Sequence, residues 1–158
     1  MTGTGRSPGR RAAAATRALL LAGVLASATA VADIRLITPW MRPAAAGSDA
    51  RAYVDIASDE PVTLVGATSP LARSVEIRIV TDTDGVDPGK AVKSLAVVPG
   101  TPTRLAFKGN HLLLRKLKHP VANATPVPVV LTFRDAKGKR VTAETSLQVR
   151  GIVAPAGS

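Results

Sequence analysis

From Ile34 onward the chain is a succession of short apolar stretches, each cut off by Pro, Gly, Asp or Ser before it reaches helical length. Several alternate with period two, as where Val75, Ile77 and Ile79 fall between Glu76, Arg78 and Val80. In an extended strand that spacing puts one set of side chains on each face of a sheet. Val and Thr are abundant, and turn pairs such as Asp84-Gly85, Pro99-Gly100 and Lys137-Gly138 recur about every ten residues. Strands are therefore expected at Ile34–Thr38, Ala52–Ala57, Val62–Ser69, Ser74–Thr81, Lys93–Val98, Thr103–Lys108, Asn110–Leu117, Pro126–Arg134 and Arg140–Val149. No long helical repeat follows the N-terminal segment. The pattern predicts an all-β fold, an antiparallel sandwich or small barrel formed as a single domain.

The N-terminal segment has a different character. Residues 1–17 carry Arg6, Arg10, Arg11 and Arg17 without an acid, an apolar run occupies Ala18–Val31, and Ala30-Val31-Ala32 precedes Asp33. That order of charged, apolar and small residues is a secretory signal peptide, and the apolar run is short of the roughly 20 residues that a membrane span needs. The expected organisation is a signal peptide at 1–32, a folded domain at 33–150 and a disordered tail at 151–158. The mature protein is expected to be exported and periplasmic. With no cysteine in the chain, neither a disulfide nor a lipid attached at the cleavage site is expected, and no membrane anchor remains after cleavage.

Of the 21 Lys and Arg and 11 Asp and Glu, the leader holds four basic residues and no acid, which leaves the remainder at +6. A basic balance raises nucleic acid as a partner, but the cations are dispersed and the chain has only Trp40, Tyr53, Phe107 and Phe133 as aromatics. Base stacking needs more. No nucleic-acid partner is expected, and the charge reads as a solvated surface suited to an acidic partner protein. Asp82–Lys90 (DTDGVDPGK) lacks the bidentate Glu of an EF-hand and reads as a solvated hairpin loop.

Several segments carry a family pattern. They are Ile37–Arg42 (ITPWMR) with Pro43–Gly47 after it, Ala52–Ile56 (AYVDI), Leu64–Glu76 (LVGATSPLARSVE), Gly109–His111, Leu117-Lys118 with Pro120, and Pro126–Phe133 (PVPVVLTF). In this order they resemble the PCu(A)C family of periplasmic copper chaperones, over most of the mature chain. The resemblance implies a cupredoxin-like β-sandwich or Greek-key barrel that holds Cu(I) and passes it towards the copper centres of respiratory oxidase. Its partners would be copper-donating or copper-accepting periplasmic proteins. It implies no enzymatic activity.

The same resemblance places the copper ligands. The family's spacing of His, Met, His and Met, with its second His laid on His111, falls on Arg78, Gly89 and Leu113. Val75-Glu76-Ile77-Arg78 stands where the family reads Val-Glu-Leu-His, so two anchors share one register. Cu(I) is a soft ion that favours thioether and imidazole donors. Arg78 brings a guanidinium that does not deprotonate, Gly89 has no side chain, and Leu113 fills space without donating. His111 is the candidate that remains, as a metal ligand or as a structural hydrogen-bonding group at a strand start. Met41 is a second candidate: if Trp40 enters the core, alternation turns Met41 outward. His119, before Pro120, is expected in a solvated turn. Two readings follow, a Cu(I)-delivering chaperone with three of four ligands replaced, or a metal-free paralogue serving as a periplasmic interaction or structural module.

Overall fold

The computed structural model describes residues 31–82 and 88–151, with Gly3 and Gly5. Nearly all of the expected leader, the expected tail beyond Gly151 and the centre of the 82–90 loop lie outside the described residues. Alternating stretches become ten strands: β1 Ile34–Met41, β2 Ala50–Ser58, β3 Val62–Thr68, β4 Ala72–Ile79, β5 Lys90–Val92, β6 Leu95–Val97, β7 Thr103–Leu105, β8 His111–Leu117, β9 Pro126–Asp135 and β10 Arg140–Val149.

Seven of them close into a barrel. The order runs β4-β8-β2-β1-β10-β9-β3, and β3 pairs back to β4 through Ala67 and Val75. The short strands β5, β6 and β7 extend β4, β3 and β2 respectively. The pairings are antiparallel apart from β1 with β10, which run parallel. The fold is thus the expected cupredoxin-like β-sandwich or barrel, with one parallel seam that strand alternation does not reveal.

The inward-facing residues form the core. Leu112 and Leu114 of β8, Ile56 of β2, Leu64 of β3, Leu131 and Phe133 of β9 and Leu147 of β10 are all buried. Each such side chain contributes roughly 1.5–3 kcal/mol by leaving water, and with no cysteine in the chain no disulfide adds to it.

One bulge changes the face on which residues near the site fall. In β1 the register passes from Ile37 opposite Asp55 to Trp40 opposite Tyr53, so three steps on β1 span two on β2. Thr38 takes a positive φ of 49° in this interval, an uncommon conformation for a β-branched residue. An extra residue inverts the alternation beyond it. Met41 therefore points inward at 0% exposure, against the outward orientation expected from simple alternation. Trp40 takes the outer face beside Tyr53, with ring centroids 4.7 Å apart.

Candidate functional site

Strands β4 and β8 bring the aligned positions together. Arg78 lies directly opposite His111, and Glu76 opposite Leu113. Directly paired residues project from the same face of a sheet, so these four share the outer face while Ile77 and Leu112 between them face the core. Gly89, immediately before β5, approaches Arg78 from the other side, and the Arg78 Nη1 donates to the Gly89 carbonyl at 2.8 Å. Arg78, Gly89, His111 and Leu113, separated in sequence, thus occupy one neighbourhood.

The chemistry there is that of a cation held by oxygen atoms. Arg78 Nε donates to Glu76 Oε2 at 3.0 Å, and its Nη2 donates to the same oxygen. The other carboxylate oxygen of Glu76 accepts from Arg115 Nη1 at 3.1 Å. Arg115 Nε lies 2.9 Å from Asp49 Oδ2 as an ion pair, with its N–H not aimed at that oxygen. The chain Asp49–Arg115–Glu76–Arg78–Gly89 ties the end of the loop before β2 to β8, β4 and the start of β5. The Arg78 side chain is 17% exposed, so its charge is largely withdrawn from water and held by Glu76 and the Gly89 carbonyl.

His111 starts β8 and is 1% exposed. Its Nδ1 lies 2.9 Å from the Gly109 carbonyl. A carbonyl only accepts, so Nδ1 carries the proton and Nε2 presents a lone pair. That Nε2 is buried without a hydrogen-bond partner. A backbone carbonyl fixing one imidazole nitrogen while the other stays free is the arrangement found behind metal-ligating histidines. The surroundings do not complete it. Among the described residues no group of three or more His, Cys, Asp or Glu is placed to hold a metal. Met41 faces the core, in register with Ala52 on β2 and Val149 on β10. His119 is exposed in the turn after β8. The donors present do not fit Cu(I).

Burial lowers the His111 pKa from its ordinary 6.5; the Gly109 hydrogen bond opposes this, and the Arg51 and Arg78 charges add to the lowering. Above about pH 6.5 the imidazole is neutral in both folded and unfolded chains. As pH falls below that value, the unfolded chain takes up a proton that the folded one refuses, so stability is lost until the folded-state value is reached. Thermal denaturation midpoints measured from about pH 8 to about pH 5 should fall across this window in the native protein and stay flatter in His111→Gln. Coincident profiles would show that His111 titrates no differently on folding.

A second feature of the same face was not foreseen. Tyr53 packs between Trp40 and Phe107, at 4.7 Å and 6.1 Å between centroids. Arg150 lies over Trp40 at 4.8 Å and Arg42 over Phe107 at 4.7 Å. Three of the four aromatic residues in the chain and two arginines thereby form one ladder across β10, β1, β2 and the turn before β8. The residues come from distant parts of the sequence, and only the β1–β2 register brings the first two together.

Comparisons with known proteins agree on the fold. The family model described as "Putative lipoprotein LpqE-like" matches residues 34–145. A protein of Leifsonia xyli subsp. xyli, itself described as a lipoprotein, is 30% identical over 105 residues, covering 65% of this chain and 63% of its own length. This chain thus spans less than two thirds of that relative. Among solved structures, a Cu(I)-bound protein of Deinococcus radiodurans is 27% identical, with a TM-score of 0.54 over 81% of this chain and 85% of its own. The copper-bound PCuAC domain from PmoF2 is 22% identical, with a TM-score of 0.57 over 77% and 97%. The barrel is thus that of PCuAC copper-chaperone domains, while the chain itself contains no cysteine for lipid attachment.

Proposed function

This chain belongs to the LpqE-like family of lipoproteins, and from that premise we propose that it is a metal-free, non-catalytic protein-interaction module on a copper-chaperone barrel. It is exported and periplasmic, in keeping with the lipoprotein description of its family and its relative. One observation carries the metal-free reading: the Arg78 guanidinium, bonded to Glu76 and to the Gly89 carbonyl, sits opposite His111 where a soft-metal site needs a neutral donor. A permanent cation directly opposite His111 repels Cu(I), and the adjacent Leu113 and Gly89 donate nothing from their side chains.

The copper-delivery alternative, in which Cu(I) is cargo for a respiratory oxidase, is favoured by the buried, unpartnered Nε2 of His111. No catalytic step enters the proposal. His111 is shut from solvent, and His119 lies in a separate exposed turn.

Competition with a chromogenic Cu(I) chelator separates the two readings. The purified protein should leave the chelator complex intact, and His111→Ala should change nothing. Withdrawal of one equivalent of Cu(I), abolished in His111→Ala, would establish the copper-delivery reading instead. Recovery of a partner from an envelope extract, with or without added copper, is the positive test of the interaction module.

A further inference from the structure

The positions inherited from the copper site make a poor docking surface, since His111 is buried and Arg78 is largely buried and bonded to Glu76 and Gly89. The next strand over is different. A cleft of about 270 Å³ opens between Arg42, Arg51, Tyr53 and Phe107. On the far side of Phe107 a second cleft of about 280 Å³ is lined by Ile37, Trp40 and Leu105, among others. Phe107 borders both and is 45% exposed; Ile37 is 42% exposed.

The charges around these clefts are unbalanced. Asp49 borders the first cleft but is engaged by Arg115 and by the Lys116 amide. Asp55, in the second, lies 4.0 Å from Arg104. Arg42, Arg51 and Arg150 make no ion pair among the described residues. Arg42 and Arg150 are instead splayed over aromatic rings, which orders the guanidinium planes while leaving their N–H edges for an acceptor.

We infer that this paired cleft docks an extended acidic segment of a partner protein, with a carboxylate seated on Arg42 and Arg51 and an apolar side chain entering beside Trp40 and Phe107. Three kinds of observation point to that occupant. Unpaired arginine forks match carboxylates. Arginine and aromatic residues are the side chains that dominate protein interfaces. A cationic cleft adjoining one that presents Ile37, Trp40 and Phe107 suits a peptide that alternates charged and apolar side chains. The inference rests on the interaction-module reading and supplies its surface.

Trp40 is the only tryptophan of the chain and stands in the ladder, so its fluorescence reports occupancy directly. The protein would be titrated with an extended peptide alternating Glu and Leu, with the same peptide carrying Gln for Glu, and with glutarate and inorganic phosphate as small-anion arms. Saturable change is expected with the Glu peptide, weakening as salt rises. Arg42→Ala and Arg51→Ala should each weaken it about tenfold or more, while Arg140→Ala, the same charge lost at the start of β10, should not.

Equal binding of the Gln peptide would overturn the proposal, as would equal weakening by Arg140→Ala, which reduces the effect to bulk charge. Glutarate or phosphate matching the peptide's affinity would make the cleft a small-anion site and overturn the docking of a protein segment. If Arg51→Ala disturbs the melting transition, Arg42→Ala at its exposed position carries the same test. Partner recovery that survives both arginine substitutions would move docking elsewhere and leave the interaction-module reading standing. Recovery of no partner would remove that reading itself.

Discussion

Arg78→His combined with Leu113→Met should turn this barrel into a Cu(I)-binding protein. Two imidazoles and a thioether would then share the outer face of β4 and β8, because Arg78 and His111 are opposed and Leu113 lies two residues along β8. His111 is already prepared, with Nδ1 held by Gly109 and Nε2 unpartnered. A gain on the order of 1,000-fold over the native protein, about 4 kcal/mol, is expected in chelator competition. Leu113→Met alone should gain far less, since the Arg78 cation stays. The double variant loses the bonds from Arg78 to Glu76 and Gly89, at a cost of about 1–2 kcal/mol in stability. A folded double variant that withdraws no copper would show that these strands do not converge as described.

Adding Gly89→Met, the remaining ligand position of the family spacing, should be costly. Gly89 has φ +80, and a Cβ there would stand 3.2 Å from Arg78 Cβ and 3.3 Å from both the Ile79 carbonyl oxygen and Val80 Cγ2. A left-handed backbone with crowded neighbours costs an L-residue roughly 1–3 kcal/mol. The glycine thus removes a ligand and also sets a backbone path that resists its return.

Met41→Ala should destabilise the domain by about 2–4 kcal/mol, and Met41→Leu by less than about 1.5 kcal/mol. The methionine is fully buried and shares a row of the inner face with Ile77, Leu112, Ala52 and Val149. Deleting it leaves a cavity at the parallel seam, whereas leucine keeps the volume and loses only the sulfur. Chemical denaturation of the two variants measures the difference. Equal, small losses would mean that position 41 is not packed as part of the core.

The sequence made most of the barrel readable, for a physical reason. Period-two alternation records which face of a strand is buried, and β2, β9 and β10 each carry it. It records nothing about which strand lies alongside, so the parallel pairing of β1 with β10 was hidden. β5 has three residues, too few to display a period. The Met41 orientation failed because alternation holds only while the ladder is unbroken, and Thr38 interrupts it. The inherited site positions were legible because their spacing is preserved. The aromatic ladder was not: Trp40, Tyr53 and Phe107 are far apart in the chain, and a count of four aromatics conceals that three stand together.

The parallel seam also bears on the order in which an exported chain can mature. β1 is the first strand in chain order, yet one of its two neighbours is β10, the last strand. β9 likewise waits for β10. The barrel therefore cannot close until residue 149 has been delivered, and any partly translocated chain keeps open strand edges on both sides of the gap. Closure through such distant contacts is slow, so the compact form of the barrel is reached only after its last strand is in place.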